Sequence, residues 1–509
     1  MGINQFMTVA AAGPNSPIRA VFPIISGHDI FSDTVTAGGI PDVEFSAAYL
    51  GLVAGLNAAN PAVEPLAELP STASLSALTG GLSTAPTVEL QHSRALLSTD
   101  VSTLANVETG GREAYDGPYW AVRSPASYLK DLVDYRIPAF LVGGWNDLFQ
   151  QGEPLNYTTL QNLYAGRPAD APMKPGQRTT PRYQLLMGPW MHVTTGTGIN
   201  MAAIQLEWFD QWLLGQHTPL GSTTTPLHLN QLGSGKWLDT ADWPVVPGRA
   251  TTFYFGPGRS GTDPVSTNDG TLTTTAPTAR TGADRVLWSP VSSPCDVQTD
   301  QWSAGALPLV LAYAGARNPC DANDITLGAG PDALVYTSAP FRSPEAIGGP
   351  IDATVYAAAN TTDAELAATV EEVSPSGRSV PLTSGALLGS LRAVDPGRSW
   401  RGGNGRYLLP YHPLTAASAR PVRPGRVTRY DITVFPTFAL IRPGWRLRVT
   451  ITTADTPHLV PSAVQLPHLI GGVYSVQRRA GAASYLNVPL VPAAALTQPC
   501  GPLCSKTGP

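Results

Sequence analysis

The sequence predicts an α/β layer followed by an all-β sandwich. Three observations carry the prediction. Up to about residue 245, continuous apolar runs end in glycine and lead into helical stretches, which is α/β grammar. After Trp243-Pro244 the text changes to short alternating segments. Finally, 50 Gly and 49 Pro in 509 residues, with charged residues at 14%, favour short strands joined by turns over long surface helices. Two or three domains are expected, at about 100–200 residues each.

Taken in order, residues 4–12 (NQFMTVAAA) suit a helix that Gly13-Pro14-Asn15 breaks, and 18–25 is apolar and β-branched enough for a buried strand. From 28 to 136 the composition shifts to Ala, Leu, Ser and Gly, and stretches such as FSAAYLGLVAGLNAAN read as short helices of an inserted cap. Residues 137–144 (IPAFLVGG) and 182–189 (RYQLLMGP) are again buried, parallel-type strands. The helix expected over 202–215 sets Leu206, Phe209 and Leu213 at helical spacing. Beyond 245, ATTFYFG, DALVYTS, IDATVYAAA, TRYDITVF and WRLRVTITT alternate between Gly and Pro turns, as strands of an antiparallel sandwich do. The Thr/Gly/Asp-rich stretch 261–284 reads as a solvated connection. The expected division is 1–27 with 137–245 for the α/β layer, 28–136 for the cap and 246–509 for the sandwich.

A net charge of -5 without any basic stripe argues against nucleic acid as a partner. No apolar run reaches the roughly 18 residues that span a bilayer, and the first residues do not have the pattern of a secretion signal. The cysteines, Cys295, Cys320, Cys500 and Cys504, form two local pairs without CxxC spacing, so a zinc ribbon is not expected. Two short-loop disulfides and an oxidising, extracellular compartment are the preferred reading; four reduced structural thiols in a cytoplasmic protein are the alternative.

Two loops stand where open α/β sheets place reactive side chains, just past a buried strand: Gly143-Gly144-Trp145-Asn146-Asp147 and Gly188-Pro189-Trp190-Met191-His192. A carboxylate after one strand and an imidazole after the next are the second and third members of a Ser, Asp, His relay. The Asp fixes the imidazole tautomer and the His carries the proton. The competing reading makes Asp147 the N-cap of a capping-box-like helix start with Gln150, and His192 a solvated loop residue. A Gly-x-Ser-x-Gly elbow is absent from the sequence. Its nearest match, Gly81-Leu82-Ser83-Thr84-Ala85, lacks the strand before and the helix after. Ser26-Gly27-His28-Asp29 are chain neighbours that cannot converge on one atom, and read as a strand end and a helix cap.

The segments YDGPYW (115–120), RSPASYL (123–129), IPAFLVGGWNDLF (137–149), LLMGPWMH (185–192), EWFDQWLLG (207–215), KWLDTADWP (236–244), DALVYTSAPF (332–341), GGPIDATVYAAANTTDAEL (348–366) and RPGWRLRVTITTADTP (442–457) together resemble the CocE/NonD hydrolases: cocaine esterase-like enzymes, α-amino acid ester hydrolases and bacterial X-Pro dipeptidyl-peptidases. The resemblance implies an α/β-hydrolase domain with a helical cap inserted before the aspartate strand, then a jelly-roll β-sandwich. In that family GGWxD supplies the triad aspartate and GPWxH the histidine, positions that fall on Asp147 and His192. Trp120 and Phe149 become candidates for the substrate pocket, with ordinary aromatic core as the alternative for each. The family elbow reads Gly-x-Ser-Tyr-x-Gly, and Met1-Gly2 resemble its last two residues. The resemblance thus sets the serine two residues before Met1, and this chain alone is expected to be close to inert. It implies a small ester, amide or short peptide substrate and no metal or organic cofactor. The reading from another class is a non-catalytic remnant whose jelly roll serves as a binding module.

Overall fold

Helix α1 (Gly2–Ala12) buries Phe6 and Val9 and leads into an extended segment, 20–25, that runs parallel to strand β1 (Ala139–Gly144) through the pairs Val21 with Ala139 and Ile24 with Val142. The computed structural model describes residues 2–46, 94–291, 297–318 and 327–496, with Tyr49, Leu90, Gln91 and Leu503. After β1 comes helix α2 (Gly152–Tyr164), then strand β2 (Tyr183–Gly188), helix α3 (Met201–Leu213), and strands β3 (Leu227–Asn230) and β4 (Trp237–Thr240). β1, β2 and β3 are parallel neighbours, and β4 returns antiparallel to β3.

Every residue of β1 and β2 is buried, because helices cover both faces of this sheet. Alternation divides them: Leu141 and Leu185 join Phe6 and Tyr157 on one face, while Phe140, Val142 and Leu186 meet Trp208 on the other. The outer side of segment 20–25 is closed by a side chain. Gln5 donates from Nε2 to the carbonyl of Phe22 (3.1 Å) and accepts from its N–H (2.9 Å). Within the sheet, His228 of β3 bonds Asp239 of β4 at 2.8 Å and Gln184 of β2 at 3.1 Å, all buried, which ties three strands together.

Helix α3 corrects the expected stripe. Its period is helical, but Leu206 and Leu213 are 63% and 54% exposed, whereas Ile204 and Trp208 are fully buried. Trp208 has more area to bury than a leucine, and its indole N–H also reaches the Val21 carbonyl at 3.1 Å. These two gains set the phase of the helix. In the insert, the described helices are short, among them Ser102–Glu108, Pro118–Ala121 and Leu129–Asp134. Apart from Phe45, Ser46 and Tyr49, the stretch FSAAYLGLVAGLNAAN lies outside the described residues, as do Gly81–Ala85 and the four cysteines.

The second part is one large sheet folded on itself. Its longer strands are β5 (Thr251–Gly256), β6 (Asp269–Thr273), β7 (Ala283–Leu287), β8 (Ala333–Ser338), β9 (Glu345–Ala359), β10 (Glu365–Val373), β11 (Ser379–Leu388), β12 (Thr428–Ile441), β13 (Arg446–Thr452), β14 (Val473–Arg479) and β15 (Tyr485–Val488). Hydrogen bonding runs in the order β11-β10-β13-β8-β6-β5-β15-β9-β14, with β12 on β9 and β7 on β14. All these pairs are antiparallel except β6 with β8. Tyr336, Ile351, Val355, Val449, Ile451 and Leu486 meet in its core. Two helices, α4 (Val297–Trp302) and α5 (Ala306–Tyr313), stand between β7 and β8 in the chain.

Stretch 261–284 is not the solvated connection its composition predicts. It contains β6, and Asp263 is buried where it meets the equally buried Arg448 at 3.3 Å. An acidic residue read from composition as solvated is here the partner of an internal guanidinium. Among the described residues, no helix is long and apolar enough to cross a membrane.

Candidate active site

β1 and β2 end side by side, at Gly144 and Gly188, and the loops that follow lie against each other. Both glycines are required by close approach. A Cβ on Gly144 would sit 2.2 Å from the Trp190 carbonyl oxygen, and one on Gly188 would enter the Trp190 ring at 2.4 Å. With that room, Trp145 N–H donates to the Gly188 carbonyl (2.9 Å) and Asn146 N–H to the Trp190 carbonyl (3.1 Å). The two tryptophans anchor their loops: Trp145 Nε1 donates to the Asn230 carbonyl and Trp190 Nε1 to that of Thr197.

This register brings Asp147 and His192 together. The Nδ1–H of His192 donates to Oδ2 of Asp147 at 2.9 Å. The carboxylate is 1% exposed and the imidazole 32%, so the pair joins a buried acid to a partly exposed ring. Asp147 Oδ1 accepts from the Phe149 N–H at 2.8 Å. That bond closes a local turn and leaves Oδ2 to the histidine. The capping alternative does not describe this loop: α2 begins only at Gly152, and the Gln150 side chain turns away to donate to the Pro436 carbonyl at 2.7 Å. Among the described residues, no serine or cysteine side chain bonds the His192 ring.

The other candidates fall in different places. Phe149 is buried, with its ring 5.8 Å from that of His192, and it packs against Gly27. Trp120 belongs to the core between insert and sandwich. Its ring meets that of Phe31 at 5.8 Å, tilted by 44°, and its Nε1 donates to the Glu113 carbonyl. Ser26 ends segment 20–25 by bonding Glu153, and Asp29 accepts from the Phe31 N–H at the start of a helical turn, as strand end and cap. His28 bonds Asn156 at 2.9 Å, and burial lowers its pKa.

Three buried groups near the pair carry no signal in the sequence. Glu153, one helical turn beyond Phe149 and near Asp147, is raised well above the ordinary carboxyl value by burial. Gln150 and Gln301, also buried, bond each other at 3.0 Å beneath the Asp147 loop. A cavity of about 140 Å³ opens among the insert, α2 and the sandwich, with His28, Asp33, Asp116, Gln151, Tyr411 and Phe435 on its wall. Burial raises Asp33 to about 7 and Asp116 to about 6. Phe149 links the two places, since it touches Gly27 next to His28 and also faces His192.

Comparison with known proteins bears on the family and the fold. A model of X-Pro dipeptidyl-peptidase (S15 family) matches residues 1–194, and one of the X-Pro dipeptidyl-peptidase C-terminal non-catalytic domain matches 221–467. A Mycobacterium bovis protein provisionally named a serine esterase is 25% identical over 291 residues, 55% of this chain and 42% of that protein. Cocaine esterase of a Rhodococcus species is 22% identical over 377 residues, 70% of this chain and 56% of that enzyme. The chain spans about half the length of the curated relatives it matches. A solved CocE/NonD family hydrolase from Staphylococcus aureus has a TM-score of 0.58 at 13% identity, over 96% of this chain and 70% of that one. The architecture is that of an α/β-hydrolase domain followed by a β-rich domain.

Proposed function

Since the chain belongs to the CocE/NonD hydrolase family, we propose that it carries the aspartate and histidine of a serine hydrolase of acyl esters or amides, of the esterase or X-Pro dipeptidyl-peptidase type. The observation that carries the proposal is the 2.9 Å bond from His192 Nδ1–H to a carboxylate shut off from water. It fixes the tautomer, leaving Nε2 to take a proton, and the buried Asp147 stabilises the imidazolium that forms.

The serine is proposed to lie just ahead of α1, outside this sequence. Segment 20–25, β1 and β2 are parallel, so their C-terminal ends share one side of the sheet, and Gly2 packs there against the carbonyls of Ile24 and Ile25. A residue preceding α1 therefore enters on the side where His192 stands. Attack by that serine gives an acyl-enzyme while His192 accepts its proton and passes it to the leaving group; water then releases the acid, with His192 again as base. The cavity beyond Phe149 is proposed to receive part of the substrate.

A fluorophosphonate probe tests this. The chain as given should remain unlabelled, and a longer form carrying the elbow should label on the elbow serine. In that form Asp147→Asn should lower turnover by about 10⁴, as in the serine protease triad. Labelling of a serine within this chain would put the nucleophile elsewhere, undiminished turnover in Asp147→Asn would remove Asp147 from the relay, and a longer form that neither labels nor turns over would leave the binding-module alternative.

A further inference from the structure

The loops bearing Asp147 and His192 are also held from outside the α/β layer, by one short segment of the sandwich region, residues 298–305. Gln301 on α4 donates from Nε2 to the Asp147 carbonyl and to Gln150 Oε1, both at 3.0 Å. Gln150 gives its own Nε2 to the Pro436 carbonyl on β12, so its Oε1 is the end turned to Gln301. Leu148, the next residue after Asp147, is fully buried against Trp302 and Phe435. Three residues beyond Gln301, the Ala304 carbonyl accepts the N–H of Val193, which follows His192. Thus one segment touches both halves of the pair within two residues of each functional side chain.

The segment is built to stay where it is. The Trp302 ring lies flat on His458, 3.8 Å between centroids at 8°, and meets Phe435 at 5.7 Å. His458 is itself bonded to Asp455 at 2.8 Å. Gln298, one turn back on α4, donates to Thr369 of β10 at 3.1 Å. Ala304 and Gly305 are both left-handed, with φ of 59° and 75°. For alanine that conformation is unfavourable and persists only where the surroundings impose it. It produces the reversal that turns the Ala304 carbonyl toward Val193.

We infer that Gln301 is a positioning residue of the hydrolase: it fixes the Asp147 peptide from the sandwich side, and so aims the Asp147 carboxylate at His192. This rests on the Asp147–His192 reading and deepens it. The region matched as a non-catalytic domain then contributes no reacting group, yet sets the geometry of two. Asp147 keeps its local bond to Phe149 without Gln301, so removal of the amide should loosen the aim of the carboxylate and leave the loop in place.

The test is made on the chain as it exists, with no need for turnover. A carboxylate-bonded imidazole N–H gives a downfield proton resonance, assigned here by its disappearance in His192→Ala. Gln301→Met keeps the volume and removes both hydrogen bonds. The expected result is loss or upfield movement of the resonance, with the thermal midpoint near that of the parent. A resonance unchanged in Gln301→Met but lost in Asp147→Asn overturns the positioning role and leaves the pair standing. A resonance absent from the parent, or surviving Asp147→Asn, overturns the pair and the inference with it. One measurement needs no variant: the Gln301 side-chain amide protons should exchange slowly in the parent chain, and rapid exchange would overturn the inference even if Gln301→Met failed to fold.

Discussion

Strand β9 of the sandwich is paired along twelve residues with β12 on one side and with β14 and β15 on the other, so its edges are closed by backbone. Segment 20–25 of the α/β layer has a backbone partner in β1, and its outer side meets the amide of one side chain, Gln5. The contrast extends to what each region buries. The sandwich holds a whole guanidinium, Arg448, among Asp263, Glu371 and Thr337, with β13 fixed between β8 and β10. Dense backbone pairing leaves internal ions no room to relax, and this favours a fixed geometry over maximal stability. The α/β layer buries the His228–Asp239 pair with Gln184 inside its sheet, and it sets Asp147 and His192 past strand ends, where chemistry can reach them.

The largest expected effect is a change of pH, which acts on the sandwich and on the insert packed between it and the α/β layer. Burial raises Asp33, Asp42 and Glu372 to about 7 and Glu365 to about 8. Between about pH 4, where these groups ionise in the unfolded chain, and pH 7 to 8, the folded chain binds more protons, so stability falls as pH rises. The buried imidazoles His28 and His412, lowered by burial, work in the opposite sense below about pH 6.5. The raised carboxyls outnumber these imidazoles, so the urea midpoint should peak on the acid side of neutrality and decline toward pH 8. Glu365→Gln with Glu372→Gln sharpens the comparison, since both lie on β10. The pair should flatten the sandwich's share of the slope and leave that of Asp33 and Asp42.

Next in size is Arg448→Met. It removes one member of a buried ionic cluster and leaves the Asp263 and Glu371 carboxyls without their cation, at a cost of about 3–5 kcal/mol in urea unfolding. If the chain tolerates it with less than about 1 kcal/mol, the cluster is not the ionic core described.

The sequence was most informative where local chemistry and tertiary role coincide. Asp147 and His192 could be paired as candidates because each follows an apolar strand that ends in glycine, and those glycines are needed locally, to admit Trp190. The boundary of pattern near 245 was visible because strand alternation is itself local. Other features depend on contacts far along the chain. Gln301 meets Asp147 across 154 residues, and nothing in its own neighbourhood marks it. Asp263 looks solvated until Arg448, on a strand far along the chain, is brought to it. Helical period in α3 was legible, but its phase was not, because Trp208 and Leu206 are both apolar and the choice is made by the Val21 carbonyl and Phe140. Trp120 shows the same limit in aromatic form: its sequence neighbourhood resembles that of a pocket residue, while Phe31 and the Glu113 carbonyl make it core.

The smallest effect addresses the open side of the comparison. Gln5→Ala leaves the Phe22 N–H and carbonyl without a protein partner and should cost about 1–3 kcal/mol, the range for exposing or orphaning a hydrogen-bonded group. The loss is local, so hydrogen exchange should register it before global unfolding does. The Phe22 amide should exchange faster by at least tenfold, while amides of β9 and β12, paired on both sides or deep in the sandwich, stay at the parent rate. Equal acceleration in both regions would mean that the layer and the sandwich open as one unit, and the contrast between an edge closed by backbone and one closed by a side chain would lose its energetic meaning. Unchanged exchange at Phe22 would mean that the edge is held by the packing of Phe22 on Phe140, whose rings stack at 4.9 Å, and that the amide of Gln5 adds nothing to it.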